Sequence, residues 1–97
     1  MREIGDEFED QVSYDLGIRK TNMSGAKFDN GDLSNKEVII ECKVKSTSKG
    51  FRSCSHEVKK VISQASKHNK EWLYIQKTQD KSFVLMDYNY FLELWTS

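Results

Sequence analysis

Val38-Ile39-Ile40 runs without a break into Glu41-Cys42-Lys43-Val44, and no other stretch limits the possible folds of this chain as tightly. Consecutive β-branched residues fit a buried, pleated strand, and charged side chains are normally kept out of one. Side chains alternate across a strand, so Val38, Ile40, Cys42 and Val44 share one face and Ile39, Glu41 and Lys43 the other. The first face is apolar throughout. The second starts apolar and ends in a carboxylate and an ammonium. Asp32 lies nine positions before Glu41, across a turn at Ser34-Asn35-Lys36, so a hairpin brings two carboxylates together. Two carboxylates with a lysine beside them suit a divalent cation and a water held against a phosphate.

Periodicity supplies the rest of the frame. Ile4, Phe8, Val12 and Leu16 recur every fourth residue and predict a helix that Gly17 ends, with its acids concentrated in the early turns. Residues 18–23 read as a short strand, Ser24-Gly25 as a loop, and 28–31 as a turn leading to a brief strand at Asp32-Leu33. The main strand covers 37–45. Residues 46–55, rich in serine, lysine and glycine, form an exposed loop. Ser55 can cap a second helix to about residue 69, whose core stripe is Val58, Val61, Ile62 and Ala65. Strands at 72–77 and 82–86 follow, joined by a polar turn. Asp87 then caps a last helix with the stripe Tyr88, Phe91, Leu92 and Trp95. The fold class is therefore mixed α/β: one small domain over residues 1–97, with a central mixed sheet flanked by helices and two central strands joined through a helix.

Charge is distributed unevenly. The 97 residues carry equal numbers of acids and bases, yet residues 17–81 hold fourteen bases against seven acids. Lys43, Lys45, Lys49, Arg52, Lys59 and Lys60 are opposed there only by Glu57. A basic surface beside an acidic pocket suits a protein that grips phosphates and holds metal at one point. The plain alternative is a solvated, charged loop and helix face. Cys42 and Cys54 form no disulfide framework, no secretory signal precedes them, and no apolar run reaches the roughly 20 residues a membrane span needs. A cytoplasmic, reducing setting is expected, that of the host if the chain is phage-encoded, with no membrane partner and no small-molecule cofactor. His56 and His68, twelve residues apart, lack zinc-site spacing.

Taken together, Gly31-Asp32 and Glu41-Cys42-Lys43 resemble the motif of the PD-(D/E)xK nuclease superfamily, with glycine in place of the usual proline. The resemblance extends upstream to archaeal and phage Holliday-junction resolvases. Their first helix carries a glycine and, four positions later, a glutamate, matched by Gly5 and Glu9; a basic residue and a Ser-Gly loop follow, matched by Lys20 and Ser24-Gly25. Lysine at position 20 departs from the commoner arginine. Gln64 and Lys60 match polar residues on the helix after the E-x-K strand. The similarity spans roughly residues 4–65.

It implies a restriction-endonuclease-like core, a homodimer, and Mg²⁺ (with Mn²⁺ as a substitute) held by Asp32, Glu41, Glu9 and the backbone carbonyl of Cys42. Lys43 would handle the attacking water. Lys20, Ser24, Lys45, Lys49, Arg52, Lys59, Lys60 and Gln64 are the expected DNA contacts, with a four-way junction as substrate. A nuclease for flaps, single strands or ends, and a noncatalytic DNA-binding module of the same fold, are the competing expectations. The aromatic residues of the last quarter are expected in core and dimer packing, any exposed apolar remainder of the last helix marking the dimer surface.

Overall fold

The computed structural model describes residues 4–21, 31–46, 53 and 55–97. Their order is α1 (Ile4–Leu16), β1 (Leu33–Ser34), β2 (Val38–Lys45), α2 (Ser55–Lys67), β3 (Glu71–Thr78), β4 (Ser82–Met86) and α3 (Tyr88–Thr96). The strands form one mixed sheet in the order β1-β2-β3-β4. β1 and β2 are antiparallel, β2 and β3 parallel, β3 and β4 antiparallel. A parallel pair needs a crossover, and α2 supplies it.

Local signals set most of the boundaries. Gly17, at φ +68°, ends α1 and donates its amide to Ser13 O at 2.9 Å. Asn35 Oδ1 accepts from the amides of Glu37 and Val38, both at 2.8 Å, and closes the turn into β2. Asp87 caps α3 by accepting from the amides of Asn89 and Tyr90. Two expectations shift. Ser55 lies inside α2 as its first residue instead of before it. Of the strand expected at 18–23, the described part shows one isolated bridge, Lys20 to Leu33; residues 22 and 23, like the Ser24-Gly25 loop, lie outside the described residues.

Alternation along β2 builds two cores. On one face Val38, Ile40 and Cys42 pack with Phe8 and Val12 of α1, Leu33, Ile75 and Tyr90 of α3. On the other, Ile39 packs with Val61 and Tyr74, bordered by Val58, Trp72 and Leu85. The α2 stripe is rotated from its expected setting: Val61, Gln64 and Ala65 are buried, while Ile62 stays exposed. The expected apolar stripe of α3 also faces outward, and Tyr90 alone is buried. An apolar cleft of about 490 Å³ lies between α1 and β3–β4, lined by Phe8, Val12, Leu16, Ile75 and Val84. Among the described residues no helix is long and apolar enough to cross a membrane.

Candidate active site

The pairing of β1 with β2 sets the geometry of the acids. Leu33 lies opposite Ile40 and Ser34 opposite Ile39, so Asp32, just before β1, lies at the level of Ile40 and the Glu41-Cys42 end of β2. The Asp32 amide donates to Ile40 O at 2.8 Å, and the Thr21 amide donates to Asp32 O at 2.9 Å. One carboxylate oxygen, Oδ2, accepts from the Cys42 amide at 2.8 Å. Gly31 makes this approach possible. Its φ is +72°, and a Cβ there would lie 2.7 Å from both Ile39 Cγ2 and Ile40 O. Proline, fixed near −65°, does not fit this backbone, which accounts for the departure from the usual motif.

Burial raises all three acids, and the charge of Asp32 raises the other two further. Glu41 is only 8% exposed. Burial, then the charge of Asp32, then a side-chain hydrogen bond with Glu57 push its carboxyl up to about 8, against the opposing pull of Lys60. Glu9 is pushed up to about 7, first by burial and then by Asp32. Asp32 is also raised by burial, with the Cys42 amide and Lys60 acting the other way. The Cys42 thiol, buried on the opposite face, is raised by burial and then by Asp32, Glu9 and Glu41. Glu9 of α1 and Glu41 of β2 thus both feel the charge of Asp32 at the edge of β1.

Lys43 follows Glu41 on the same face and pairs in register with Gln76 of β3. Beneath it Tyr74 and Gln76 are fully buried, and Tyr74 Oη donates to Gln76 Oε1 at 2.6 Å. Lys20 is exposed, its Nζ 3.0 Å from Asp10 Oδ1 and 3.9 Å from Glu9 Oε1. Lys45 is half-buried at the end of β2, and Lys59 is exposed on α2. Gln64 is buried and its Oε1 has no hydrogen-bond partner among the described residues. Ser24, Lys49 and Arg52 lie outside the described residues.

Glu57 is the residue that sequence reasoning passed over. It looks like an ordinary first-turn acid balancing the helix dipole. Its spacing held the clue: Glu57, Lys60 and Gln64 stand at i, i+3 and i+7, one face of α2.

The donor set fits a hard divalent ion, since Glu9, Asp32 and Glu41 offer carboxylate oxygens whose crowding a cation would relieve. Among the described residues, however, no three acidic, histidine or cysteine side chains are already gathered as a ligand cage. Asp32 is tied to the Cys42 amide and Glu41 to Glu57.

Sheet order and crossover define a mixed α/β fold, one four-stranded sheet with three helices. Among solved structures, the chain is similar to Hjc, a Holliday junction resolvase from the archaeal hyperthermophile Archaeoglobus fulgidus. The TM-score is 0.59 at 19% sequence identity, covering 82% of this chain and 73% of the resolvase chain. At that identity the shared property is the fold. No family model and no curated protein matches the sequence.

Proposed function

We propose that this chain is a single-domain, metal-dependent, structure-specific DNA endonuclease that acts as a homodimer on four-way junctions in the cytoplasm. The observation that carries the reading is the closeness of Asp32 to Glu41 and Glu9, whose carboxyls its charge raises, with its own carboxylate held by the Cys42 amide, on a fold shared with a junction resolvase. Asp32, Glu41 and Glu9, with the Cys42 carbonyl, are the ligands for Mg²⁺ or Mn²⁺. When bound, the ion supplies Lewis acidity at the scissile phosphate and lowers the pKa of water. Asp32 is fixed by its hydrogen bond from the Cys42 amide to Oδ2, so Oδ1 is presented from a rigid edge. Lys43 orients the attacking water and offsets the charge that grows on the phosphoryl oxygens. Lys60, whose charge reaches Asp32 and Glu41, is assigned a DNA phosphate. Lys20, Lys45, Lys59 and Gln64, with Ser24, Lys49 and Arg52 of the flanking segments, complete the DNA contacts.

Cleavage of a synthetic four-way junction, compared with linear and flapped duplexes in Mg²⁺, tests the reading. Asp32→Asn and Lys43→Ala should each lower cleavage by at least about 10²–10³-fold while junction binding stays within a few-fold. Full cleavage by either variant, or no metal-dependent cleavage of any substrate by the parent chain, would overturn it. Preference for flaps or ends would place the enzyme in another branch of the same chemistry.

A further inference from the structure

The two sides of the sheet are covered unequally. α2 packs on both β2 and β3, whereas α1 packs on β2. Strands of a parallel pair are normally covered on both faces. On the α1 side, β3 and β4 instead border the apolar cleft of about 490 Å³. Phe8 and Val12 of α1 and Ile75 of β3 form its buried floor. Ile75 pairs in register with Val84 of β4. Val84, 50% exposed, and Leu16, 47% exposed, are the apolar residues at the mouth. β4 is the last strand of the sheet, so among the described residues no further strand closes the cleft from the side.

The two walls differ in charge. Glu7, Gln11 and Asp15 recur every fourth residue along one flank of α1, and all three are exposed. They belong to a segment, residues 1–16, that holds six acids and one base. The strand wall carries the opposite sign in Lys77, whose register partner is the uncharged Ser82.

We propose that this cleft receives a basic amphipathic helix of another protein, with its apolar stripe on the floor and its lysine or arginine flank along Glu7 and Asp15. The inference goes beyond the nuclease reading and does not rest on it. From Glu7 to Asp15 the α1 wall rises about 12 Å, so about two turns of a partner helix can lie alongside it. Two turns present three or four apolar side chains on one stripe, which the floor and mouth can take up. A helix laid into a groove in this way is read by its anchors at i, i+3, i+4 and i+7. The charge asymmetry also fixes its orientation, with the cationic flank toward α1 and the other flank neutral or acidic beside Lys77.

Other occupants fit less well. DNA phosphates are repelled by the acidic flank and gain nothing from an apolar floor. A second copy lacks the required helix. The last helix has an exposed apolar stripe, but residues 82–97 contain no lysine or arginine. α2 carries lysines, but Ile62 is its one exposed large hydrophobic residue. α1 itself is acidic. Among the described residues, then, no helix of this chain joins an apolar stripe to a basic flank.

The test is a titration of the ¹⁵N-labelled full chain with a synthetic leucine–lysine peptide of about 14 residues, long enough to form an isolated helix. Its leucines stand at i, i+3, i+4 and i+7. A counterpart with glutamate in place of every lysine is the control. The lysine peptide should bind with a dissociation constant of about 10–100 μM in about 0.15 M salt, and amide shifts should be confined to α1 and to the cleft residues of β3 and β4. The glutamate peptide should bind at least about 10-fold more weakly. Glu7→Lys/Asp15→Lys, at two exposed positions, should weaken the lysine peptide at least about 10-fold, and Val84→Asp should do the same. Unchanged circular dichroism shows that both variants are folded. Absence of binding, equal binding of the two peptides, unchanged affinity in either folded variant, or shifts centred on the last helix would overturn the proposal. So would a self-association of the parent chain that Glu7→Lys/Asp15→Lys abolishes, which would assign the cleft to a second copy. The readout needs no DNA. Binding by a chain that cleaves nothing keeps this inference and removes the nuclease reading, and cleavage by a chain that binds neither peptide does the reverse.

Discussion

The two faces of β2 receive different treatment from the same eight residues. One face, Val38, Ile40 and Cys42, is closed by α1 and Tyr90 into an apolar core. The other begins with Ile39 under α2 and then turns to Glu41 and Lys43 beside Asp32. The first face gains stability by removing apolar surface from water. The second loses stability, because a buried carboxyl is held near another carboxylate. Strand alternation lets both occur without either side disturbing the other. The core face supplies the rigidity that keeps the acid face in place despite its repulsion.

Substitutions on each face should therefore move stability in opposite directions. The largest effect is expected on the core side. Ile40→Ala, at a fully buried position, should cost about 2–5 kcal/mol in urea unfolding. At the junction of the two faces, Gly31→Ala places a Cβ 2.7 Å from Ile39 and from the Ile40 carbonyl at a φ of +72°. A loss of about 1–3 kcal/mol is expected, together with weaker cleavage because Asp32 must shift. The smallest change, of opposite sign, belongs to Glu41→Gln. Glu41 has a folded-state pKa raised from 4.5 to about 8. The stability tied to its protonated form is thus complete below about pH 4.5 and lost as pH rises through 8. Glutamine mimics the protonated form. Allowing for solvent screening, the variant should be more stable than the parent by about 1–2 kcal/mol at pH 8 and nearly equal to it at pH 4.5. Equal stability of the two chains at both pH values would remove the distinction between the faces.

Much of this framework was legible in the sequence because the signals were local. The apolar run and alternation gave β2 and its two faces, Gly17 gave the end of α1, and Asp87 gave the cap of α3. The hairpin spacing put Asp32 beside Glu41. What escaped depended on tertiary placement. Period alone showed that α3 has an apolar stripe, but only docking decides that Tyr90 turns inward and Phe91 and Trp95 outward. Ile62 and Gln64 exchange their expected exposures for the same reason: α2 rotates so that Gln64 faces the sheet. Glu57 escaped because a first-turn acid has a sufficient local explanation, and its bond to Glu41 joins residues sixteen apart. The pairing of the Lys20 ammonium with Asp10 and, more loosely, Glu9 joins residues about ten apart and had no local signal either.

The central claim is that the charged end of β2 is a cation site whose repulsion a divalent ion relieves. Thermal unfolding at pH 8, with and without Mg²⁺ or Mn²⁺, tests it most directly and independently of any DNA. A cation at ten times its dissociation constant should stabilise the parent chain by about 1.4 kcal/mol, and the Glu41→Gln and Asp32→Asn variants should lose most of that gain. No cation-dependent rise in the parent chain, or an equal rise in both variants, would contradict the account.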